Sequence, residues 1–244
     1  MTVSLARLWR SRVERSPARL AYQHREHGVW TPVTWRQADE RVRPIAGGLL
    51  QRGVDPGDPV PLLGSTRLDR LSCATAMALV GAVRGPDSPR SDPEDLVALA
   101  ERGAAWLDDH PTAIDVRIAA TPPLSGALEA PNGAIGILTG DVSDADAARA
   151  AWGAIRSGAR LVLARTGTSL AELLAAEPAD VLFATAEAID GLAADRVPRS
   201  VITRTDHLSV ESRRKLATAG ITVVSAHVNP NVWGDDDPAV WHIG

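Results

Sequence analysis

From residue 134 onward one pattern repeats: a short apolar run, a turn, then an amphipathic stretch. The runs read as strands at 134–138, 160–164, 181–184, 200–203 and 221–225, with helices at 144–157, 168–176, 186–193 and 209–219 between them. Strands that are apolar throughout need cover on both faces, and parallel neighbours need a helical crossover. Four or five such steps predict an α/β fold with doubly wound, mostly parallel sheets.

The earlier half is less regular. Leu5, Leu8, Trp9 and Val13 share one helical face over 4–15, and Pro17 ends that helix. Strands at 20–23 and 29–33 around His27-Gly28 predict a hairpin. Thr34 caps a helix that presents Trp35, Ala38, Val42, Ile45 and Leu49 on one side. Pro44 lies inside it, at a cost of about 3 kcal/mol unless the helix kinks or starts later. A buried strand is expected at 60–63, although Pro59 and Pro61 cannot donate to a ladder. A helix at 66–82 closes at Gly81. Another opens near Pro93 and ends at Gly103, followed by a strand at 104–107. Four prolines (Pro111, Pro122, Pro123 and Pro131) mark 111–132 as a connector with one strand at 114–118. Two subdomains are therefore expected, 1–110 with the N-terminal helix and hairpin, and 133–244.

Charge narrows the function classes. The net charge is −4, divided as +5 over residues 1–83 and −9 over the rest, with acids interspersed among the arginines. That leaves no electrostatic footprint for nucleic acid. No apolar run reaches the roughly 18 residues of a membrane span, and MTVSLARLWRSRVERS lacks the apolar core of a secretion signal. A cytoplasmic protein is expected. Cys73, the single cysteine, excludes an internal disulfide and suits a reducing compartment as a small core residue. Of 26 basic residues only Lys215 is lysine, placed among Arg213 and Arg214 on an expected solvated helix face.

Several stretches, in order, carry a family resemblance. GVWTPVTWRQA (28–38) is similar to a G-x-W-x-x-x-T-W-x-E hairpin and helix start. GGLLQRGVDPGDPVPLLGS (47–65) resembles a helix–turn–strand passage, and 81–109 resembles the passage to the next strand. Residues 157–192 and 208–230 resemble two later segments. The family is the AMP-forming acyl-CoA synthetases of the adenylate-forming superfamily, and the likeness extends over residues 4–230. It implies the fold of their N-terminal domain.

The resemblance also implies a chemistry: an acyl adenylate made from a carboxylic acid and ATP with Mg²⁺, then transfer to a thiol such as CoA. The family's phosphate loop, T-S-G-T-T-G-x-P-K, has no match here. Its place holds Leu138-Thr139-Gly140-Asp141, with Asp144 and Asp146 close behind, an acidic run that would repel a triphosphate. The G-Y-G-x-T-E position reads Ala226-His227-Val228-Asn229-Pro230-Asn231, so the Mg²⁺-binding glutamate is replaced by a neutral amide. The lid with its lysine is expected to be missing, since Gly244 is reached before that part would begin. A vestigial pocket of Thr139, Gly140, His227, Asn229 and Asn231 is the candidate site, with no catalytic residue, no metal and no bound cofactor expected.

Other groupings carry less. His24 and His27 point to opposite faces of an extended chain, and the aspartates 141, 144 and 146 lack the glycine and glutamate of a calcium loop. Trp30 and Trp35 are expected in the core. The reading is a catalytically inactive synthetase-like protein that binds, scaffolds or regulates an acyl-activating or acyl-transfer enzyme. Its expected partner is a full-length synthetase or a second copy. The alternative is a small acyl- or acyl-CoA-binding protein, or a divergent enzyme that keeps the parental acyl pocket.

Overall fold

The computed structural model describes residues 4–26, 29–86, 93–120, 134–142, 145–164, 169–176, 178–184, 186–192, 197–203 and 208–225. Its elements begin α1 (Leu5–Arg15), β1 (Leu20–Glu26), β2 (Val29–Thr34), α2 (Trp35–Gln51), β3 (Pro59–Val60), α3 (Arg67–Val80), β4 (Val83–Arg84), α4 (Pro93–Asp109) and α5 (Ala113–Ala120). They continue β5 (Ile135–Leu138), α6 (Ala145–Ser157), β6 (Arg160–Leu163), α7 (Leu170–Ala176), β7 (Val181–Phe183), α8 (Ala186–Asp190), β8 (Ser200–Thr203), α9 (Val210–Thr218) and β9 (Thr222–Ser225). The chain divides into two compact units. One holds α1 to α5 with β3 and β4, and the other holds the hairpin and everything from β5 onward.

In the first unit, polar residues fix where helices begin. Thr34 and Gln37 form a reciprocal capping box at α2, and Thr66 and Asp69 form another at α3. Gly81 ends α3 at φ 79°, a left-handed position that suits glycine. Trp9 and Trp35 meet edge to face at 5.3 Å, and the Trp9 indole N–H donates to Asp39 Oδ1 at 2.7 Å. Helix α2 continues without a break past Pro44. The proline removes a single helical bond, the one the Glu40 carbonyl would have received.

Three expectations need correction here. The strand expected at 60–63 shrinks to Pro59–Val60, paired in parallel with Val83–Arg84. Pro61 cannot continue that ladder. Helix α4 does not stop at Gly103 but continues to Asp109 and takes in the expected strand at 104–107. Residues 114–118 form part of helix α5, with Ile114 and Ile118 buried at i, i+4 and Val116 exposed.

The second unit is a seven-stranded sheet in the order β2-β1-β6-β5-β7-β8-β9, and every register pairing from β1 to β9 is parallel. The hairpin, expected with the N-terminal subdomain, joins this sheet instead, Tyr22 lying opposite Leu161. Ile137, Val162, Leu182 and Val201 form one fully buried row across the strands. Leu173 of α7, Ile189 of α8 and Leu216 of α9 pack on that row. Helix α6 contacts β5 and β6, and a right-handed crossover puts it on the opposite face. This is the α/β, doubly wound, mostly parallel architecture that the alternation predicts.

Candidate functional site

The strand order sets where a ligand would bind in such a sheet. From β5 the chain crosses to β6 on one side, then returns past β5 to β7 on the other. The crossovers from β5 and β7 therefore run to opposite faces, and in sheets of this kind the carboxyl ends at such a switch point are where ligands bind. Thr139 and Gly140 follow β5 directly, so the sheet carries them to this switch point.

Thr139 ties the two strands together there. Its amide donates to the Phe183 carbonyl at 3.1 Å and its hydroxyl to the same oxygen at 3.2 Å. Gly140 itself lies against α6, where an added Cβ would meet the Ala147 Cβ at 2.8 Å. One strand further along, Thr203 closes β8. Its hydroxyl is buried and has no hydrogen-bond partner among the described residues. Thr139 and Thr203 end strands two places apart, about 10 Å at normal strand spacing.

Thr203 is absent from the sequence-derived set because a threonine closing an apolar strand carries no motif. Only the sheet order brings it beside the switch point. His227, Asn229 and Asn231 lie outside the described residues. Among the described residues, no group of three or more His, Cys, Asp or Glu side chains could hold a metal ion, and no helix is long and apolar enough to cross a membrane.

The sole lysine is not on a solvated face. Lys215 is half-buried on α9, and its ammonium donates to the Leu192 carbonyl just after α8. Arg213 and Arg214 are exposed, and Lys215, a further step of about 100° round the helix, is turned toward the residues that follow α8. Trp35 is buried, and Trp30 packs against the core of the second unit, as expected for both.

Comparison with known proteins now bears on this geometry. Residues 9–105 match the sequence model of the family described as AMP-binding enzyme. The likeness to the AMP-binding enzymes is thus one of residues 9–105. The matched stretch contains two of the resembling segments, 28–38 and 47–65, and most of a third, 81–109. The chain is 30% identical over 118 residues to the long-chain-fatty-acid–CoA ligase FadD15 of Mycobacterium tuberculosis, over 46% of this chain and 20% of the ligase. It thus spans about a fifth of the length of that curated relative.

Solved structures extend the likeness across the chain. NpsA of Klebsiella oxytoca, in complex with 3-hydroxyanthranilyl-AMSN, aligns at TM-score 0.65 and 15% identity over 92% of this chain and 57% of NpsA. The N-terminal domain of FACL13 from Mycobacterium tuberculosis aligns at 0.63 and 15% identity, over 94% of this chain and 76% of that domain. At such identity the alignments establish the fold alone, which this chain shares with NpsA and the N-terminal domain of FACL13.

Proposed function

We propose that this chain uses an adenylate-forming scaffold for binding and not for adenylation, as a scaffolding or regulatory partner of an acyl-activating or acyl-transfer enzyme. The observation that carries the reading is the fate of lysine. A triphosphate held at the switch point needs a mobile cation beside the loop after β5. That loop reads Thr139-Gly140-Asp141, and the one ammonium in the sequence is engaged on the Leu192 carbonyl. Placing Asp141 next to phosphates would add repulsion. ATP, Mg²⁺ and CoA are what the family uses, and the residues after β5 fit ATP poorly. The fold is also that of the adenylation part of NpsA–ThdA, an artificially fused adenylation–PCP di-domain, and a PCP-type domain is one partner class to try. The reading includes a cytoplasmic location, which the single buried thiol of Cys73 suits.

Pyrophosphate exchange across a panel of carboxylic acids tests it. No ATP-dependent exchange is expected, and clear exchange with any acid would overturn the reading.

A second reading, acyl or acyl-CoA binding without ATP, is favoured by the buried Thr203 hydroxyl at the carboxyl edge of the sheet. In that case acyl-CoA or a free acid alone should raise the melting temperature, and Thr203→Val should abolish the rise. A panel that leaves the melting temperature unmoved would remove this reading.

A further inference from the structure

Helix α1 carries an arginine stripe that the proposed site does not use. Arg7, Ser11 and Arg15 recur at i, i+4 and i+8, one face of a helix. With Arg10, Glu14, Ile118 and Ala119 they line a groove of about 300 Å³ between α1 and α5. Its single carboxylate, Glu14, is taken by Arg10 Nε at 2.8 Å, and Arg10 also reaches Asp115 at 3.5 Å. Arg7 gives one Nη to the Ala119 carbonyl at 2.9 Å, which leaves its other donors for a ligand. Arg15 is exposed and makes no ion pair among the described residues; its neighbours Arg12 and Arg19 add two more positive charges. Burial, then repulsion from Arg19 and Arg15, favours loss of the Arg12 proton, so the three guanidiniums lie close enough to oppose one another.

The shape of the stripe selects among anions. Arg7 and Arg15 are eight residues apart, about 12 Å along the helix. One phosphate or carboxylate reaches only one end. An extended chain places same-side side chains at every second residue, so positions i and i+4 stand about 13 Å apart. The buried Ile118 side chain and Ala119 give such a segment an apolar floor. We propose that the α1–α5 groove receives an extended acidic segment of a protein partner, with carboxylates four residues apart meeting Arg7 and Arg15. This surface goes beyond the non-adenylating reading and does not depend on it.

The test is fluorescence anisotropy of a fluorescein-labelled peptide of alternating glutamate and alanine, titrated with the full chain. Saturable binding that weakens with added salt is expected. The double variant Arg7→Glu, Arg15→Glu should weaken binding by about tenfold. Arg36→Glu with Arg52→Glu, exposed positions away from the groove, should leave it unchanged. Circular dichroism checks that each variant is folded. Should the double variant not fold, Arg15→Gln alone at its exposed site should weaken binding by about threefold. The proposal is overturned if the peptide does not bind, or if both double variants lose affinity equally. It is also overturned if vesicles of phosphatidylserine bind more tightly and the peptide fails to displace them.

Discussion

Gly103 of α4 lies against the Pro44 carbonyl of α2 so closely that an added Cβ would meet that oxygen at 1.9 Å. The Gly48 amide nitrogen would be 2.2 Å away. Gly47 and Gly48 approach α4 from the other side, near Leu107 and Leu99. Two opposing effects meet in Gly103→Ala. Helix propensity favours alanine by about 1 kcal/mol. The clash is with backbone and no rotamer relieves it, so the helices must part, at about 1–3 kcal/mol or more. The clash wins. A lower midpoint in urea unfolding is expected, and an unchanged or higher midpoint would contradict the packing described.

Asp69 predicts a stability loss that depends on pH. Burial alone would raise its carboxyl. Hydrogen bonds from the Thr66 hydroxyl and amide, together with the Arg41 guanidinium, outweigh this and hold it below the usual carboxylate range. A depressed folded pKa stabilises above the unfolded value and loses that contribution as pH falls through the folded one. Asp69→Ala should cost about 1 kcal/mol at neutral pH, and the cost should shrink as acid titrates the native carboxyl. A pH-independent difference between the two proteins would argue against the ion pair and cap.

Asp39 has the opposite sign. Burial is the main cause that raises its carboxyl, against the Trp9 hydrogen bond and the Arg43 charge. The folded chain then holds its proton longer than the unfolded chain, so this group's contribution falls as pH rises above the ordinary carboxylate range. Asp39→Asn keeps an acceptor for the Trp9 indole and removes the titration. Its stability relative to the native protein should improve as pH climbs from about 4, read from unfolding curves at several pH values.

Cys73 should be inert while the first unit is folded. Burial pushes its thiol up to about 11, and the Leu63 amide donates to Sγ at 3.4 Å. Little thiolate exists at pH 8 and iodoacetamide has no path to it. Labelling should follow unfolding in denaturant. Complete modification of the native protein within minutes would show that this helix opens.

Lys215→Met isolates the ammonium from the side-chain stem. The loss of the hydrogen bond to Leu192 should cost about 1 kcal/mol, measured by chemical denaturation. A variant as stable as the native protein would return Lys215 to a solvated role.

The second unit was legible in the amino-acid order because each parallel strand is a short apolar run bounded by helix signals. The first unit misled at positions where one residue has two uses. Gly103 reads as a helix stop, yet its missing side chain serves close packing inside a helix that continues. Ile114, Val116 and Ile118 alternate like a strand, yet Ile114 and Ile118 also stand one helical turn apart, and only those two are buried. Within the candidate site, the place of Thr139 and Gly140 followed from counting strands. Thr203 and the engagement of Lys215 did not, since each depends on a neighbour that only the folded chain supplies.

Strand β1 pairs with β6, so His24 lies beside Leu163. The two are roughly 140 residues apart, and a ribosome adding about 5–20 residues per second needs roughly 7–28 s to make the second after the first. The helices of the first unit can pack within that interval and β2 can pair with one edge of β1, but the edge of β1 that faces β6 must wait with its ladder groups unpaired. An open strand edge is a template for other chains. For this protein the hazardous period is therefore its own synthesis, and crowding of nascent copies is the condition under which its sheet would first go wrong.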